Sequence, residues 1–142
     1  MSTVMQNRNR FKPLAGFIGP SQISALVECL TGEEGEYFDE LLTKLGERIA
    51  GMPKSYEQDG KGNDAVVYLH YFKGRGDWYI TEKDMETHDE PGQHQAFGFA
   101  DLGYGSELGY ISIAELIKAN VEIDLYFTPQ TVGELKAAGK IK

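Results

Sequence analysis

The chain has 142 residues, 41% of them hydrophobic, and a formal net charge of −8 at pH 7. That length suits one domain around one core, and that charge disfavours plain affinity for phosphate backbones, which needs a basic surface. It leaves room for a local basic patch and equally permits an acidic face that competes for a nucleic-acid groove on another protein.

Cys29 is the single cysteine, so no internal disulfide is expected and a reducing, cytoplasmic setting suits the chain. No apolar run approaches the ~20 residues that span a bilayer, so no membrane association is expected. The Pro-Leu-Ala-Gly-Phe-Ile-Gly stretch is too short and too broken by glycine for a signal core.

Residues 1–19 read as a basic, flexible arm, with Arg8, Arg10 and Lys12 and no acid before residue 13. Residues 20–142 read as a single α+β domain. Pro20-Ser21 opens a helix to about Leu30, with Ile23, Leu26, Val27 and Leu30 on one face. Cys29 lies off that stripe, with no activating group near it in sequence, and reads as a small flank residue. Thr31 and Glu34 have the spacing of a capping box. The helix they predict buries Tyr37, Phe38, Leu41, Leu42, Leu45 and Ile49, and Gly51 and Pro53 stop it. Glu33, Glu34, Glu36, Asp39 and Glu40 crowd its first two turns, with no base before Lys44. Acids suit the positive end of a helix dipole, but capping needs only the first turn. Glu36, Asp39 and Glu40 are expected to project together into solvent, and the five acids form the predicted partner-binding face.

The 59–64 loop fails both ligand patterns it superficially resembles. A calcium loop needs an oxygen ligand where Lys61 stands and glycine where Asp64 stands. A phosphate-binding loop needs Ser or Thr where Gly62 follows Lys61. Residues 65–72, apolar on both faces, read as a central strand that forms a hairpin with 77–82 through Gly74 and Gly76. Trp78 is expected to be largely buried, and His70 to be a hydrogen-bonded core histidine. Residues 83–95 hold Asp84, Glu86, His88, Asp89, Glu90 and His94, yet Pro91-Gly92 keeps the two histidines off a shared helix face. No metal and no cofactor are expected. Strands follow at 95–102 and 107–111. A short helix capped by Ser112 and Glu115 comes next, then a fifth strand at 121–127. The terminal helix is expected from Thr128-Pro129, with Leu135 inward and Gly139 at its end. The predicted fold is α+β: a mainly antiparallel sheet of about five strands, with two N-terminal helices and a C-terminal helix packed on it.

The segments DWYITEKD, AFGFADLG, ELGYISIAEL and VEIDLYFTP, in this order and spacing, resemble the domain-of-unknown-function 2958 family over roughly residues 65–135. Trp78, Tyr79, Glu82, Gly98, Glu107, Gly109, Tyr110, Leu116, Asp124, Leu125, Tyr126 and Phe127 carry the resemblance. It implies a small cytosolic protein of bacterial plasmids, phages or other mobile elements and supplies no catalytic residues. Such elements counter host defence or secure their own maintenance.

The reading that joins this implied origin to the charge is a non-enzymatic acidic binding protein. It would be an anti-CRISPR or anti-restriction inhibitor that meets a host or phage protein with a basic surface. The alternative is a nucleic-acid-binding accessory protein. It would use Arg8, Arg10, Lys12, Lys73 and Arg75 beside Tyr71 and Tyr79 as exposed stacking rings. The third is a small hydrolase using a carboxylate with His70, His88 or His94, for which the sequence shows no positioned pair.

Overall fold

A computed structural model describes residues 10–86 and 92–142. Helix α1 (Pro20–Thr31) starts on a proline, whose missing N–H would be unpaired there anyway. Its Leu26 is buried, and Ile23, Val27 and Leu30 pack partly buried against the same core. Helix α2 (Gly35–Ala50) turns back immediately. A Cβ on Gly35 would stand 2.4 Å from the Leu30 carbonyl oxygen, so only glycine permits this reversal. The expected 31/34 capping box is therefore absent: Thr31 still belongs to α1 and its hydroxyl donates to the Glu28 carbonyl. Tyr37 is also corrected. It is 49% exposed and packs edge-on against Phe38, while Leu42, Leu45 and Ile49 carry the buried face.

Residues 11–18 of the expected 1–19 arm belong to the packed domain. Phe11, Leu14, Phe17 and Ile18 are buried in the main core through a 3-10 turn at Lys12–Leu14. Gly46 on α2 lets that turn approach, since a Cβ there would lie 3.2 Å from Pro13. Arg8 lies outside the described residues.

The main sheet is antiparallel, in the order β5-β4-β3-β2-β6. Its strands are β2 (Leu69–Lys73), β3 (Gly76–Glu82), β4 (Ala96–Asp101), β5 (Ser106–Ile111) and the short β6 (Glu122–Ile123). Period-2 alternation sorts its side chains. Leu69, Tyr71, Ile80, Ala96 and Ile111 join the core built with α1 and α2. His70, Tyr79, Phe99 and Leu108 align across the strands on the other face. That outer face is covered in part by a second cluster holding Val67, Tyr79, Phe127, Val132, Leu135 and Ile141. Helix α3 (Ile113–Lys118) is capped by Ser112, whose hydroxyl accepts the Glu115 N–H. Among the described residues, no helix is long and apolar enough to cross a membrane.

Three expected elements differ. The 65–72 run divides: β1 (Val66–Val67) pairs with β7 (Gln130–Thr131), and β2 starts after Tyr68. The 121–127 strand shortens to β6, because the Asp124 carboxylate accepts the Tyr126 N–H at 2.9 Å and turns the chain. The last helix, α4 (Val132–Ala137), starts beyond Pro129, at a full capping box between Thr131 and Glu134. Trp78 is half-buried, packed against the main core rather than enclosed by it.

Candidate functional site

Different sides of α4 line two clefts on the outer face of the sheet. One contains His70. Strand alternation puts this ring on the outer face, stacked on Tyr79 with centroids 4.7 Å apart. Its Nε2 lies 2.7 Å from Asp77 Oδ1, and its Nδ1 lies 3.0 Å from Asp124 Oδ2. The Asp124 N–H also donates to the His70 carbonyl at 2.8 Å, which fixes the carboxylate beside the ring. Each ring nitrogen therefore faces a carboxylate oxygen at hydrogen-bond distance.

This cleft of about 420 Å³ is also lined by Asp101, Lys140 and Lys142. The Tyr79 hydroxyl is pushed up to about 12, first by burial and then by Asp77, Asp101 and Asp124. Arg48 donates to the Phe127 carbonyl at 3.0 Å. Burial holds its guanidinium below the ordinary arginine value, partly offset by Asp124. The arrangement is a cross-linked polar network that ties β2, β3 and the 124–127 turn together. Its acids could accept a cationic side chain.

The second cleft, about 380 Å³, is aromatic, lined by Tyr56, Phe97, Phe99 and Leu108 with Thr81 and Glu82. Tyr56 holds a positive φ of 79°, a conformation that non-glycine residues seldom adopt. Its ring is 60% exposed and meets Tyr110 edge-on at 6.2 Å; Tyr110 in turn meets Phe97 at 5.6 Å. Leu108 and Tyr110 are 59% and 54% exposed. Beneath them, Glu82 is buried and accepts the Thr81 hydroxyl. Sequence reasoning missed this surface. A signal was present: in β5 the same parity that places Ile111 inward also places Leu108 and Tyr110 on the opposite side.

The acidic start of α2 is only partly as expected. Glu33, Glu34 and Glu36 are exposed and in no ion pair among the described residues. Asp39 pairs with Arg10, which also donates to the Thr43 hydroxyl, and Glu40 pairs with Lys44 at 3.1 Å. Two of the five acids are thus compensated, one by a residue distant in sequence. The rings of the nucleic-acid alternative are not exposed. Tyr71 is fully buried, with its hydroxyl donating to the Phe17 carbonyl, and Tyr79 is 5% exposed. Strand parity and a cover on each sheet face explain both. Lys12 and Arg75 are exposed, and Lys73 donates to the Ala119 carbonyl. In the 83–95 loop, Asp84 accepts the N–H groups of Glu86, His94 and Gln95 and so organises the backbone. His88, Asp89 and Glu90 lie outside the described residues.

No curated protein and no solved structure shows a significant match to the chain. A family model described as protein of unknown function, DUF2958, matches residues 40–134. The match runs from α2 through the whole sheet to the first turn of α4, and so includes part of a helix that the sequence motifs had left outside. The chain belongs to the DUF2958 family of proteins of unknown function.

Proposed function

We propose that this chain is a non-enzymatic binding protein that acts by contact with a partner protein bearing a basic surface. An anti-CRISPR or anti-restriction inhibitor of a nucleic-acid-binding machine would act in this way. One observation carries the reading: Tyr56, Leu108 and Tyr110, each more than half exposed, gather beside the aromatic groove. Single exposed apolar residues are ordinary, whereas a cluster rimmed by polar groups marks an interaction surface. The net charge of −8 and the exposed Glu33, Glu34 and Glu36, in no ion pair among the described residues, favour a basic partner and a salt-sensitive encounter.

The test is affinity capture from the source organism with tagged wild-type chain and with the Leu108→Ser/Tyr110→Ser double variant. Wild type should retain one identified protein in stoichiometric amount, less of it at high salt, and the double variant should retain none. Capture no better than a tag-only control, or equal capture by both forms, would refute the proposal.

A further inference from the structure

We infer that β5 is a docking edge for an extended segment of a partner protein, which adds to the sheet as a further strand and alternates apolar with basic residues. This rests on the binding role proposed above and names its surface and mode.

β5 is the outermost strand of the sheet and pairs with β4 without a bulge, from Ala96↔Ile111 to Asp101↔Ser106. Among the described residues, no backbone group from outside β4 bonds to its backbone; the Lys142 N–H donates to the Ser106 hydroxyl at its start. The opposite edge is treated differently. There the Gln22 side-chain amide takes the place of a neighbouring strand: its oxygen accepts the Ile123 N–H at 2.9 Å and its nitrogen donates to the Ile123 carbonyl at 2.8 Å. Proteins blunt open edges with lysine, proline, bulges or a cover. β5 reads Ser-Glu-Leu-Gly-Tyr-Ile, with Glu107 as its one charge and none of the other devices.

Gly109 adds an independent observation. Its backbone is not in the left-handed region, and a Cβ built on it would meet nothing within 4 Å. Its partner Gly98 is different, since a Cβ there would sit 1.9 Å from the Tyr79 carbonyl oxygen. Internal crowding explains Gly98 and explains nothing at Gly109. A glycine in an edge strand with open space beside it leaves the backbone bare for another chain to approach.

Charge selects the occupant. A second copy would bring together two chains of −8 and place like-charged Glu107 residues along one short ladder. A basic segment meets no such repulsion. Residues of the added strand on the outer face would cover Leu108 and Tyr110 and are therefore apolar. Those on the inner face would lie beside Glu107 and over Gly109, where a lysine or arginine stem has room. At ~3.4 Å per residue the strand offers about 20 Å of edge and about six backbone hydrogen bonds.

The experiment selects a displayed library of random linear nine-residue peptides on the full chain, then titrates an enriched peptide while backbone amide shifts are followed. Peptides that alternate apolar residues with Lys or Arg should be enriched, with the largest shifts at residues 106–111. Glu107→Lys should weaken binding at least tenfold. Gly109→Val should do the same while keeping a melting temperature at or above wild type, which separates loss of the edge from loss of the fold. Enrichment without alternation, no enrichment, or affinity unchanged in both variants would overturn the inference. Shifts centred on α2 or the His70 cleft would overturn it too, while leaving the binding role standing. A concentration-dependent dimer of the peptide-free chain, abolished by Gly109→Val, would assign the edge to a second copy and equally overturn it.

Discussion

Removing His70 tests the polar network at the level of single contacts. Its two carboxylate partners differ in a way that sets distance against burial. Asp77 is closer, at 2.7 Å, but its side chain is 40% exposed; Asp124, at 3.0 Å, is 27% exposed. Exposed ion pairs contribute roughly 0.2–1 kcal/mol because water screens them. Hydrogen bonds to charged groups shielded from water contribute about 1.5–3 kcal/mol. Burial should therefore outweigh the 0.3 Å difference between those contacts. The His70–Asp124 coupling is expected at about 1.5–2.5 kcal/mol and the His70–Asp77 coupling below about 1 kcal/mol. With the lost Tyr79 stack included, His70→Ala should cost about 2–4 kcal/mol in all. The assay is urea unfolding followed by fluorescence of Trp78, the single tryptophan, in two double-mutant cycles: His70→Ala with Asp124→Ala, and His70→Ala with Asp77→Ala. An Asp77 coupling equal to or above that of Asp124, or both couplings within about 0.5 kcal/mol of zero, would refute the reasoning.

Tyr79 keeps its proton in the folded chain up to about 12, whereas the unfolded chain loses it near 10.0. The stability this group contributes is whole below pH 10 and is lost as pH rises toward 12. Tyr79→Phe should make the alkaline limb of a stability-versus-pH curve shallower; an unchanged limb would count first against the burial of that hydroxyl and then against the carboxylates around it. Tyr71, raised by full burial, should still contribute to the limb in that variant. Because Trp78 is half-buried, Trp78→Ala should cost about 2 kcal/mol by circular dichroism melts, less than a fully enclosed ring would. Arg75→Ala at the exposed hairpin turn should stay within about 0.5 kcal/mol of wild type. Replacing Glu33, Glu34 and Glu36 together by Gln should leave melting unchanged or improved and weaken partner capture at low salt; undiminished capture would return them to an ordinary solvated helix end.

Much of the architecture was legible in local pattern. The Ile23, Leu26, Val27 and Leu30 stripe, the strands around Phe97 and Tyr110, and the Ser112 cap are set by period and turn chemistry among residues close together in the chain. Exposure was harder to read. Tyr71 and Tyr79 are both aromatic members of one hairpin, yet whether a ring stacks in water or fills a core depends on what covers each sheet face. That cover comes from α1 and α2 on one side and from α4 with Ile141 on the other. The site depended still more on tertiary structure. His70 meets Asp77 seven residues away and Asp124 fifty-four residues away, and Arg10 neutralises Asp39 across a helix boundary. Gln22 closes one sheet edge from 101 residues away, while the other edge stays open. Alternation tells a side chain which way to point. It says nothing about which distant segment arrives there, because that is settled by the one packing that satisfies the buried polar groups and encloses the apolar ones together.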